Sequence, residues 1–393
     1  MATPLNIAIV GGGIGGLFAA NALLAEGFKV NVYEQAPALG EIGAGVFVTP
    51  NSARHLQRLG LGPALEKYGA RVGPTSRYFR HDGTEIAPVR VTDSAGWNAT
   101  FGMHRADFVE LLSNALPGGI VHCGHRCTGF HEEDGAARVS FANGSTIEAD
   151  LVIGADGIHS ALQPYVTAVS QPVFSDSCAY RGTVARERVP QWPNNAWQMW
   201  LGKGKHFLSF PLRAGTLINF VGFVPADQAL KESWTAAGDP DQLRREFAGW
   251  DPRIATLLKE VKTTFRWALY DRDPLAVWTK GRLTLLGDAA HAMLPHLGQG
   301  ANQSIEDGMA LATILKGYSR ERLSTALGIY EKLRKERVAS VQRGARENGL
   351  RYDSLSGDIG VRDAELTAHA DFRRRLYDYD VVPEAQTAAA AGA

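Results

Sequence analysis

The sequence has little that would commit it to an unusual setting. Neither sign of charge is in excess: Lys and Arg total 41 and Asp and Glu total 41 in 393 residues. No overall field therefore selects nucleic acid or a membrane surface as partner. There are three cysteines, Cys123, Cys127 and Cys178, too few for a disulfide scaffold. Cys123 and Cys127 lack a second Cys or His pair at zinc-finger spacing, so they read as reduced thiols and no metal site is expected. The most apolar stretch, LNIAIVGGGIGGLFAANALLA, is broken by glycines and has no basic segment before it. That argues against a signal peptide or a membrane span and for a cytoplasmic protein. Internal repeats are absent too. What is present is ample core material, with 45% hydrophobic and 21% charged residues, and a length that suggests two to three domains of about 150 residues.

The first 35 residues read as one unit. NIAIV is a short apolar run, GGGIGG a glycine turn, LFAANALLAEG a helix with a closing glycine, and FKVNVYE an alternating strand that ends at Glu34. Strand, turn, helix and strand make a βαβ unit. Within it Gly11, Gly13 and Gly16 form G-x-G-x-x-G. The first glycine permits the tight turn, the second lets the backbone approach a pyrophosphate, and the third lets helix pack on strand. The helix N-terminus offers unpaired N–H groups to the phosphates. Glu34 lies 18 residues beyond Gly16, where an acid can accept hydrogen bonds from a ribose. A dinucleotide site follows, and an NAD-dependent dehydrogenase would carry the same fingerprint.

Two later segments repeat the strand-then-glycine pattern. Leu151–Ile153 precede Gly154, Asp156 and Gly157, and Leu283–Leu286 precede Gly287 and Asp288. A parallel sheet begun near residue 7 is thus completed from distant parts of the chain. Residues 176–275 differ in texture: NAWQMWLG, HFLSFPL and TLINFVGFV suggest an antiparallel sheet. Residues 299–316 and about 321–350 read as helices. The tail EAQTAAAAGA is low in complexity and is expected to fray.

The stretch GDAAHAMLPHLGQGANQSIED, residues 287–307, separates the dehydrogenase from a second reading. A dehydrogenase does not need a further acid-bearing turn some 270 residues downstream, whereas FAD does. Asp288 can accept bonds from ribityl hydroxyls, and the helix opened by GQGANQ can point its N–H groups at the anionic side of a flavin. At this point the chain resembles the single-component flavoprotein aromatic hydroxylases. That group includes salicylate 1-hydroxylase, 3-hydroxybenzoate 6-hydroxylase and 6-hydroxynicotinate 3-monooxygenase. The matching pieces are GGGIGG with Glu34, HRADF at 104–108, GADGIHS at 154–160, YRG at 180–182, DRDPLAVWTKGRL at 271–283 and the 287–307 run. The texture is most like that of salicylate hydroxylases.

The resemblance implies an α/β fold: a Rossmann-like FAD-binding domain with a parallel sheet, an inserted antiparallel β-sheet substrate domain and C-terminal helices. The implied boundaries are 1–75, 101–175 and 276–350 for the first domain, 76–100 and 176–275 for the second, and 351–393 for a C-terminal segment and tail. It implies that Gly11, Gly13, Gly15, Gly16, Glu34 and Gln35 serve the ADP half of FAD. Arg105 would serve the cofactor's middle, Asp288 the ribityl chain, and Gly300 and Ala301 the flavin's pyrimidine edge. Asp156 is implied for both FAD and the nicotinamide donor. The loop 43–47, including Gly45 and Phe47, would run along the flavin ring.

The implied activity is reduction of FAD by NADH or NADPH, then reaction with O2 to a flavin C4a-hydroperoxide whose distal oxygen atom is transferred to an electron-rich ring. The site's task is to orient the ring and exclude water. The partners are a small aromatic substrate, O2 and NAD(P)H, with a monomer or homodimer expected. On the strand GKHFLSFPLRAG, His206, Leu208 and Phe210 share one face, since side chains alternate. His206 is then the candidate base for a phenolic proton, and Phe47, Trp200, Phe210 and Pro295 are candidate lining residues, with His296 a further neighbour and His291 a cap on the cofactor turn. The resembling enzymes carry Tyr where this chain has Phe210. Where it has Phe47, the nicotinate enzyme has His and the 3-hydroxybenzoate enzyme Gln. Both departures make the pocket less polar and favour a salicylate-like acid over 3-hydroxybenzoate or a hydroxypyridine. A non-enzymatic binding module on the same fold stays open at this point; uptake of FAD, seen as colour, separates the two.

Overall fold

The computed structural model of the protein describes residues 4–40, 45–168, 171–226, 236–354, 359–368 and 370–392. Its first sheet carries the dinucleotide signal. Five parallel strands lie in the order Leu283–Leu285, Leu151–Gly154, Asn6–Val10, Lys29–Tyr33 and Val121–His122, with Thr279–Lys280 antiparallel at one edge. Val10 pairs with Gly154, and Gly154 with Leu285. Three strands from three parts of the sequence therefore end side by side, and their glycine turns open on one edge. In an open parallel sheet that carboxyl edge is where ligands bind. Helix Ile14–Ala25 packs on Gly300–Leu315; a Cβ on Gly308 would lie 3.0 Å from Ala19 Cα, so small residues set their approach.

The second large sheet has eight strands, in the order Ala237–Gly238, Thr264–Asp271, Val173–Ala185, Leu217–Pro225, Lys205–Leu212, Gln198–Gly202, Arg77–Arg80 and Glu85–Pro88. One junction departs from the antiparallel expectation: Gln198–Gly202 runs parallel to Arg77–Arg80. Those two strands come from separate parts of the chain, so no hairpin dictates their sense. Alternation gives the sheet two faces. Trp200, Phe207 and Phe220 bury outward among Trp192, Leu243 and Leu257. His206, Leu208 and Phe210 point the other way, toward the cavities described below.

The expectation of a frayed tail is corrected. Val381–Gly392 is a helix with Val381 and Ala385 buried. Tyr318 Oη donates to Ala389 O at 3.0 Å and Arg322 Nη2 to Gly392 O at 2.8 Å. The alanines that look featureless are the best helix formers, and the helix docks on Gly300–Leu315. The three cysteines are unpaired. Among the described residues no helix is long and apolar enough to cross a membrane.

The helices are tied together by buried charge. Arg334, on the long helix Leu323–Tyr352, donates to Glu306 Oε2 at 2.6 Å and to Asp307 Oδ1 at 2.8 Å, and all three side chains are fully buried. Arg337 and Asn51 also donate to Glu306, each at 2.7 Å. Burial alone would raise the Glu306 carboxyl, but Arg337 and Arg334 hold it down at about 2. Removing one partner of a buried ion pair strands the other, at a cost of about 3–5 kcal/mol. Arg334→Met is expected to lose stability on that scale, read as a lower urea midpoint of the apoprotein. An unchanged midpoint would show that the cluster is not structural.

Candidate active site

The first glycine turn is shaped by close approach. Gly11 has φ +115°, and a Cβ there would lie 2.2 Å from Ala155 O. A Cβ on Gly16 would lie 2.0 Å from Gly11 O, so the third glycine lets the helix start directly against the turn. At Gly13 a Cβ would meet nothing within 4 Å, because that side opens on a cavity of about 630 Å3. Glu34 closes the second strand. Its Oε2 accepts from Gly12 N at 2.7 Å and its Oε1 from Ala36 N at 2.8 Å. Each carboxylate oxygen keeps a lone pair free for a ribose hydroxyl.

The same cavity is lined by Gly15, Gln35, Gly45, Arg105, Asp156, Asp288, Gly300 and Ala301. The sequence-based cofactor set, apart from Gly16 behind the turn, is therefore brought together around one volume. Asp288 is open to the cavity it lines. The protein mass around it raises its carboxyl pKa, while His291 and Arg105 pull it back. Its Oδ1 lies 3.9 Å from where a Cβ on Gly300 would be, so acid and helix N-terminus face one spot. That helix has no side-chain cap, which leaves its first N–H groups for a ligand. The turn itself is clamped from behind: Asp307 Oδ2 accepts from Gly287 N at 3.1 Å and from His291 Nε2 at 2.6 Å. His291 thus fastens the turn to the buried cluster.

Asp156 has a visible local task. Its Oδ2 accepts from Ala161 N at 2.7 Å and Leu162 N at 3.3 Å, closing the turn. Its Oδ1 is buried with no hydrogen-bond partner. Arg181 also lines the cavity, 4.4 Å over the Trp267 ring. Burial, with the like charge of Arg105, holds Arg181 at about 10. A guanidinium whose pKa is lowered by a second one on the same cavity favours an anion there.

A smaller chamber of about 50 Å3 adjoins this cavity. Phe47, Leu208, Phe223, Pro295 and Gly298 line both. At the ~10–15 Å3 that one water needs, the chamber is on the scale of a single substituted ring. His206 lines only this chamber. Its ring stacks on Phe223 with centroids 4.0 Å apart, and its Nδ1 lies 2.7 Å from Asp353 Oδ1. An ionised carboxylate can only accept, so Nδ1 carries the proton, and in the neutral ring Nε2 keeps its lone pair. That Nε2 is buried without a partner. His296 joins the lining, and burial, helped by His206, holds it neutral with a pKa of about 3.

Two lining expectations change. Trp200 lines neither cavity: it is fully buried on the opposite face, with Nε1 donating to Asp251 Oδ2 at 2.7 Å. Phe210 lines the large cavity and not the chamber, its ring 4.1 Å from that of Phe47. Of the loop 43–47, residues 43 and 44 lie outside the described residues. Gly45 is positioned by its N–H, which donates to Asn219 Oδ1 at 2.9 Å, and a Cβ there would strike the Phe210 ring at 2.5 Å. Asp353, unremarked in the sequence, is 147 residues from His206 and sits in no motif.

The cavities' donor set suits a dinucleotide with a flavin: open glycine backbone at one end, and an acid with an uncapped helix at the other. Comparison with known proteins agrees. The FAD binding domain family matches residues 5–345. A 3-amino-4-hydroxybenzoate 2-monooxygenase of Streptomyces platensis is 37% identical over 96% of this chain and 97% of its own. A salicylate hydroxylase of Pseudomonas putida is 36% identical over 92% and 89%. A 6-hydroxynicotinate 3-monooxygenase of Pseudomonas fluorescens is 36% identical over 88% and 92%. Among solved structures, a salicylate hydroxylase substrate complex superposes with a TM-score of 0.84 at 30% identity, covering 98% of both chains. The fold and site define a flavin-dependent oxidoreductase. The chain belongs to the FAD binding domain family, within its FAD-dependent monooxygenases.

Asp288→Ala is expected to give a folded apoprotein with weakened FAD binding. A hydrogen bond to a charged group contributes about 1.5–3 kcal/mol, which is about tenfold to 150-fold in the dissociation constant. Fluorescence titration of apoprotein with FAD reads this directly, and an unchanged constant would remove Asp288 from the cofactor site.

Proposed function

We propose that the protein hydroxylates a small aromatic acid that already carries a ring hydroxyl, of the salicylate class, using NADH or NADPH and O2. Bound FAD would supply electron transfer from the nicotinamide and activation of O2. The supporting observation is the pair of adjoining spaces. A dinucleotide-sized cavity and a ring-sized chamber share the wall of Phe47, Leu208, Phe223, Pro295 and Gly298. The chain's own residues then have distinct tasks. His206 Nε2 accepts the phenolic proton, which makes the ring more electron-rich. Asp353 holds the imidazole in the tautomer that leaves Nε2 free and steadies the imidazolium that forms. Phe47, Leu208 and Phe223 keep water out. Neutral His296 avoids placing a second cation beside the His206 that must take up a proton. The reduced cysteines and the need for NAD(P)H favour a cytoplasmic setting for this reading.

A survey of hydroxybenzoates and hydroxypyridines tests the reading, following NADH consumption with product and H2O2 quantified. A ring acid converted with little H2O2 supports it; H2O2 alone from every ring opposes it. His206→Asn keeps a donor for Asp353 but removes the base. A lost general base commonly costs about 10²–10⁴ in the step it serves. NADH consumption should persist while product gives way to H2O2, and a variant as well coupled as the parent would reduce His206 to packing.

A further inference from the structure

The chamber is lined by two arginines, Arg90 and Arg373, and by no Asp or Glu among the described residues. Arg90 is exposed, whereas Arg373 reaches inward from the helix Ala370–Asp378. Its Nη2 donates to Tyr78 Oη at 3.1 Å, it bonds the Tyr377 side chain, and it lies 5.7 Å from the Trp197 ring centroid. Among the described residues no carboxylate comes within salt-bridge distance of it. The acids nearest in sequence are occupied. Asp371 pairs with Arg374, Asp380 with Arg58, and Asp378 accepts from Ser94 N.

Arg373 is half-buried; two phenols and an indole face do not neutralise a guanidinium, and a cation drawn partly out of water is costly to leave without a counter-ion unless a ligand supplies one. We propose that Arg373 is the specificity-determining residue that receives the carboxylate of the aromatic acid. This rests on the hydroxylase reading and narrows it to anionic rings. The planar fork suits a carboxylate bidentately. The guanidinium also belongs to a set that reaches the base. Tyr78 Oη lies 3.3 Å from Tyr352 Oη, and the Tyr352 ring is 5.3 Å from that of His206. Arg373 and His206 line one chamber, so the group that anchors the acid and the group that takes the phenolic proton together fix how the ring is presented to the shared wall.

The test compares acids with their neutral amides on the FAD-loaded protein, by isothermal titration: salicylate against salicylamide, and 3-hydroxybenzoate against 3-hydroxybenzamide. The parent should prefer the acid of at least one pair. Arg373→Met should weaken that acid's binding by about tenfold to 150-fold, the range of one charged hydrogen bond, and leave the amide nearly unchanged. Arg373→Lys keeps a point charge without the fork and should fall between. It carries the same test if the Met variant does not retain FAD. A parent-like ratio of acid to amide in either FAD-loaded variant overturns the assignment, as does a parent that binds amides as tightly as acids. A parent that hydroxylates neutral rings equally well would overturn it while leaving the hydroxylase reading intact. Product from no ring at all would be the failure of that reading instead.

Discussion

The buried cluster of Arg334, Glu306 and Asp307 is the constraint on which both cavities depend. Helix Gly300–Leu315 must present its bare N-terminus to the large cavity, and a buried helix end needs something rigid behind it. Glu306 and Asp307 lie two turns into that helix, and Arg334 holds both. Asp307 then reaches back to Gly287 N and His291, so the turn that carries Asp288 is clamped to the helix it faces. On the other side Asn51 binds Glu306, and Asn302 Nδ2 donates to Phe47 O at 3.0 Å. One set of charges thereby fixes the acid, the helix end and the strand that forms the wall between the two cavities. The segment QSIED is structural support for the GD turn rather than part of the chemistry.

The division into two spaces explains how one chain can keep a large anionic cofactor and a small ring apart. The large cavity is edged by glycine backbone and arginines, and the chamber by apolar side chains with two histidines, His206 and His296, and one inward guanidinium. The five residues that wall both spaces set what the chamber can present to the large cavity and from which side.

Much of this was legible in the sequence because the signals are local. A glycine turn between strand and helix specifies its own geometry, so the residues of the large cavity could be named before their arrangement was known. Strand alternation put His206 on a face with Leu208. Trp200 was misplaced although the signal existed: the two-residue turn at Lys203–Gly204 pairs Trp200 with Phe207, which sets it opposite His206. The C-terminal part was the least legible. Asp353, just past the end of the long helix, and Arg373, on a later one, sit in no motif, and their importance lies in contacts with strands some 150 to 300 residues earlier. Alanine-rich sequence also hides a docked helix, since its burial depends on a partner surface and not on its own pattern.

Residues behind the cavity, which touch no ligand, are expected to determine whether it can hold FAD. Asp307→Asn tests this most directly, because the change is isosteric and lies behind the turn. The dissociation constant of FAD from folded apoprotein, with folding checked by circular dichroism, is the quantity to measure. A weakening of about tenfold or more is expected, on the scale of a lost charged hydrogen bond. A folded Asp307→Asn protein that binds FAD as tightly as the parent would contradict it.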